Sequence, residues 1–105
     1  MLSNQEIHAA NLKQDFRNFV ALVKEFEKAL PQDTLVGAVV DGIIFQLEKL
    51  SLTKSGYLLY CGRSLDGLPV RHIRPQDSPL LSLIALPRPA EEKEKPRNPI
   101  GFEIL

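Results

Sequence analysis

Few side chains in this 105-residue chain are suited to chemistry: two histidines, one cysteine and several arginines gathered around one turn. Arg63, Arg71, His72 and Arg74 flank the dipeptide Asp66-Gly67, and Asp66 is the one acid among them. On a hairpin these groups converge. An arginine donates two parallel hydrogen bonds to a phosphate, and Tyr57 or Tyr60 would offer a face on which a base can stack. That is the footprint of a small anion or nucleic-acid site. The same residues also describe a solvated hairpin with scattered charges, which is the commoner arrangement.

The other candidates carry less. His72 alternates with Val70 and Arg74 along an extended segment, and histidine suits acid–base work near neutral pH. Nothing beside it in sequence completes a catalytic pair, and the second histidine, His8, falls in the first helical segment. Two histidines without clustered carboxylates or thiolates do not make a metal site. Cys61 would need a depressed pKa and a partner base to act as a nucleophile. Arg63 favours a thiolate, but no base adjoins it, so Cys61 reads as a small buried apolar residue. The stretch from Cys61 to Gly67 lacks the lysine and the glycine spacing of a phosphate loop. Asp33, Asp41 and Asp66 read as cap and turn residues. No catalytic residue, metal or cofactor is therefore expected, and the sequence argues against an enzyme.

Composition narrows the partners. One domain fits this length. Thirteen basic residues balance thirteen acidic ones, so there is no overall field to attract nucleic acid or an anionic membrane. Balanced charge also opposes self-association weakly. A single cysteine asks for no oxidising compartment, the first residues do not read as a signal peptide, and no apolar stretch is long enough to span a membrane. These features point to a cytoplasmic protein.

The elements that must position these residues are an apolar stripe and a set of short strands. Ser3 and Glu6 have the spacing of a capping box, with Leu2 and Ile7 at the staple positions. Leu12, Phe16, Phe19, Val20, Val23, Phe26 and Leu30 then recur in steps of three and four, and Pro31 ends the pattern. This predicts a helix over 4–30, about 40 Å long, which exceeds what so small a core needs. Leu12, Phe16, Phe19 and Phe26 are accordingly the candidate partner-binding residues.

Residues 34–50 read two ways. Val36, Val40, Ile43, Leu47 and Leu50 step like a helical seam. Against that stand Gly37, Gly42 and five β-branched residues, and Asp41-Gly42 is a hairpin-turn dipeptide. The seam spans both glycines, and a second helix is the preferred reading. Beyond Leu52, strands are expected over 57–61, 70–74, 80–86 and 100–105, with breaks at 53–56, Asp66-Gly67 and Asp77-Ser78-Pro79. Proline and the charge run Glu91-Glu92-Lys93-Glu94-Lys95 mark 87–99 as a mobile loop.

The expected fold is α+β: two N-terminal helices, within about 3–50, packed on one face of a small, mainly antiparallel sheet of short strands. The expected role is a non-enzymatic protein–protein interaction module (adaptor, assembly factor or regulatory subunit) using an apolar helix or sheet face, with a second copy or a larger complex as partner. The alternative is a small nucleic-acid-binding or regulatory protein using the basic hairpin. An enzyme whose site is shared between subunits is a third, unsupported reading.

Overall fold

The computed structural model describes residues 3–76, 81–92 and 95–105. One helix, α1 (Asn4–Ala29), is followed by strands β1 (Thr34–Val40), β2 (Ile43–Leu52), β3 (Tyr57–Ser64), β4 (Pro69–Pro75), β5 (Ser82–Pro87) and β6 (Gly101–Ile104). A short 3-10 turn at Ala90–Glu92 lies between β5 and β6. The sheet order is β4-β3-β2-β1-β5, with β6 beside β2. All pairs are antiparallel except β2 with β6.

The α+β class stands, but the second helix does not. Residues 34–50 form a hairpin whose central residues, Asp41 and Gly42, have φ of 51° and 79°. A two-residue turn with both φ positive twists in the sense that the flanking strands require. The glycines that penalise a helix, and the β-branched residues that suit a pleated strand, are thereby both accommodated. The helical part is thus α1 alone.

Helix α1 begins as its cap dictates. The Ser3 hydroxyl accepts from the Glu6 amide at 3.1 Å. Leu2, the partner of Ile7 in the expected staple, lies outside the described residues. The apolar stripe covers the inner face of the sheet. Phe16 and Val23 are buried, and Phe19, Val20, Phe26 and Leu30 pack against the same core of Val36, Ala38, Val40, Phe45, Leu50, Leu58 and Tyr60. The first turns, by contrast, are exposed through Asn11.

Strands β3 to β6 fall where short strands are expected, and β3 extends further, to Ser64. Of the expected 80–86 run, Leu80 lies outside the described residues, as do Asp77, Ser78 and Pro79. Lys93 and Glu94 of the charge run do too. Around them, the 87–99 segment has identifiable anchors. The Arg88 amide donates to the Asp33 carbonyl at 3.0 Å. Arg97 reaches the end of α1: Nη1 donates to the carbonyls of Pro31 and Thr34, and Nη2 to those of Glu27 and Leu30, all within 3.1–3.3 Å. One guanidinium thus ties the last turn of α1, at Glu27 and Leu30, to the start of β1.

The sheet is split near its middle. The last β1–β2 pair is Gly37 with Gln46, and β6 takes up the same edge of β2 only from Lys49 onward. A register shift in β2 between Leu47 and Lys49 marks the junction.

Candidate functional site

Strand alternation sends the residues of the basic hairpin to opposite faces. On β4, Val70, His72 and Arg74 alternate with Arg71 and Ile73. His72 is paired with the fully buried Tyr60, and Arg74 with Leu58, on the inner side. Arg71 is paired with Cys61 on the outer side. The cluster is therefore not one surface.

Two of its three arginines also have acids close by. Arg74 Nη1 donates to both carboxylate oxygens of Asp41, at 3.0 and 3.3 Å. Asp41 lies in the β1–β2 turn, so this pair ties the turn to β4. Arg63 lies 3.5 Å from the Glu48 carboxylate. Neither partner is adjacent in sequence, so the ion pairs were not visible there. His72 stacks on Phe45 with ring centroids 5.2 Å apart, and its Nε2 is buried without a hydrogen-bond partner.

The tyrosines divide between core and rim. Tyr60 is wholly buried, and Tyr57 is 44 % exposed. Burial pushes the Tyr60 hydroxyl up to about 12, with the nearby Arg74 charge opposing the shift. A phenol so placed serves the core and offers no stacking platform. Cys61 is half-buried on the outer face, less enclosed than the sequence suggests. Among the described residues no group of three histidine, cysteine or acidic side chains is arranged to hold a metal ion.

The four helical candidates meet the chain's own sheet. Phe16 is 2 % exposed, Phe19 and Phe26 pack against the core, and Leu12 is half-buried beside the β2–β3 turn, where its Cδ1 would meet a Cβ on Gly56. Leu12 is further held by Gln76, whose Nε2 donates to its carbonyl at 2.6 Å. The exposed apolar residues of α1 are instead Ile7 and Leu22.

The outer face of the sheet, opposite α1, carries a further set of apolar residues, while Ile43, in phase with the buried Phe45, is also 50 % exposed. The register aligns Ile44 with Val39 and brings Leu35 opposite Leu86. Gly37 lies between them. A Cβ there would come within 2.8 Å of side-chain carbons of Ile84 and Leu86, so these two side chains lean across the glycine and close a small apolar surface. On the far side of the sheet Leu59 pairs with Ile73. Ile44 is 40 % and Ile73 is 62 % exposed. Between the two patches runs a polar stripe of Gln46, Arg63, Lys49 and Arg71, with Lys49 ion-paired to Glu103. In sequence this face is masked, because its residues alternate with core residues on five different strands.

Compared with protein-family models, with curated proteins and with solved structures, the chain matches none. No helix among the described residues is long and apolar enough to cross a membrane.

Proposed function

We propose that this chain is a non-enzymatic protein–protein interaction module and that the outer face of its sheet is the surface that binds. One observation carries the reading: α1 covers the inner face, while the outer face keeps Ile44 and Ile73 substantially exposed on either side of a charged stripe. Exposed apolar groups can supply affinity by burial, and the charges between them can supply register by pairing with a complementary partner.

Size supports this. Five strands of about seven residues present a face of roughly 500–600 Å² from strand spacing and rise. With the flanking turns, that approaches the ~800 Å² that each partner contributes to a stable interface. The turn between β3 and β4 adds Leu65 and Leu68, 70 % and 63 % exposed, at one margin. The partner is another protein chain, either a second copy or a member of a larger complex.

A nucleic-acid role is the weaker reading: only Arg63 and Arg71 of the basic hairpin share the outer face, and Arg63 and the neighbouring Lys49 already face Glu48 and Glu103. Sedimentation of the wild type and of Ile44→Lys plus Ile73→Lys tests the proposal, alone and in complexes isolated with an affinity tag. Loss of the larger species in the variant, with an unchanged circular dichroism spectrum, is the expected result. Complexes of equal mass from both proteins would refute it.

A further inference from the structure

A cavity of about 430 Å³ opens at the split in the sheet. It forms where β1 leaves β2 and before β6 begins, and the segment after β5 closes it. Its wall holds three cations, Arg88, Lys95 and Arg97, together with Asn98 and the carboxylates of Glu48 and Glu92. Two of these charges are already engaged. Glu48 faces Arg63, and Arg97 spends both Nη groups on carbonyls at the end of α1.

Arg88 is different. It is only 6 % exposed, yet among the described residues its side chain makes one hydrogen bond, from Nη1 to the Gln32 carbonyl at 3.2 Å. Its Nε is buried without a partner. No carboxylate stands within ion-pair distance among the described residues. Removing a guanidinium from water without a counter-charge is costly, and buried charges are ordinarily paired. With Nη1 committed to Gln32 and Nε enclosed, Nη2 is the donor left to meet an anion in the cavity.

We propose that this cavity binds a small organic oxyanion, a carboxylate or phosphate group seated on Arg88 with Lys95 beside it. The cavity volume lies within the range of small-molecule sites and far exceeds a bare ion, so the anionic group would carry an organic body against Leu35 and Pro99, which share the wall. The site adjoins the proposed interaction face, sharing Leu35 and Gln46 with it, but neither Ile44 nor Ile73 lines it, so different substitutions test the two proposals.

The test is a titration of the full chain followed by the Arg88 Nε–H and backbone amide NMR signals. Acetate, inorganic phosphate and sodium chloride at matched ionic strength are the three arms. Saturable shifts at Arg88 and Lys95 with acetate or with phosphate, and not with chloride, are expected, and the stronger arm identifies the head group. Arg88→Lys keeps the charge and loses the second nitrogen, which the Gln32 carbonyl holds in place, so it should weaken that binding about tenfold. Lys95→Ala should weaken it less and leave the fold unchanged. No saturation in either anion arm, or shifts that chloride reproduces, would overturn the proposal. So would unchanged affinity in folded Arg88→Lys.

Discussion

At the scale of single residues, Arg97 and Tyr60 each have a consequence that can be measured. Arg97 brings a positive charge and four donor contacts to the carboxyl end of α1, where the helix dipole is negative. Arg97→Ala should therefore cost about 2 kcal/mol, as charged hydrogen bonds at a partly buried helix end do. Urea unfolding measures it, and Arg97→Lys should recover only part of the loss because an ammonium cannot span the same carbonyls. Tyr60 gives a pH signature. Its hydroxyl, raised by burial from 10.0 to about 12, holds its proton in the folded state over a range where the unfolded chain has lost it. The unfolded state then binds fewer protons, so stability is intact below pH 10 and falls as pH rises from 10 towards 12. The slope is at most about 1.4 kcal/mol per pH unit. Thermal melts across that range should show the fall in wild type and a shallower one in Tyr60→Phe.

At the scale of elements, the β1–β2 hairpin is the instructive case. Gly42 has φ of 79°, and a Cβ there would meet nothing within 4 Å, so the cost of Gly42→Ala is conformational alone. It should be about 1 kcal/mol, the penalty for an L-residue in the left-handed region, readable by denaturant titration. Ser3→Ala should cost about the same at the other end of the chain, through loss of the cap on Glu6; an unchanged midpoint would show that the cap contributes nothing. The limits of α1, its cap and its apolar stripe were legible because local chemistry sets them. Residues 34–50 were not, for a specific reason. Val36 to Val40 is a step of four along one strand, Val40 to Ile43 crosses the two-residue turn, Ile43 to Leu47 is again four, and Leu47 to Leu50 is three because β2 shifts register there. A strand, a turn, a strand and a bulge thus reproduce the three-and-four rhythm of a helix. The site was harder still. The partners of Arg74 and Arg63 are Asp41 and Glu48, brought close by strand pairing, and Arg97 sits in a stretch whose prolines and charges resemble an unanchored loop.

At the scale of the whole molecule, the protein is elongated. Its extents are 55 × 24 × 19 Å and its radius of gyration is 15.1 Å, against about 13 Å for a compact chain of a hundred residues. A two-layer architecture of one helix on one sheet leaves one broad surface without a layer of its own, and the apolar residues gathered there are what the proposed interaction would bury. The stripe on α1 has no such surplus beyond Ile7 and Leu22. That contrast provides an internal control. The decisive measurement is the mass of the complexes recovered by affinity tag from native cells with three proteins: wild type, Ile44→Lys plus Ile73→Lys on the outer face, and Leu22→Lys on the helix. If the sheet face is the binding surface, wild type and Leu22→Lys assemble into the same larger species and the outer-face variant sediments as a folded monomer. Equal assembly by all three, or loss of assembly only with Leu22→Lys, would contradict it.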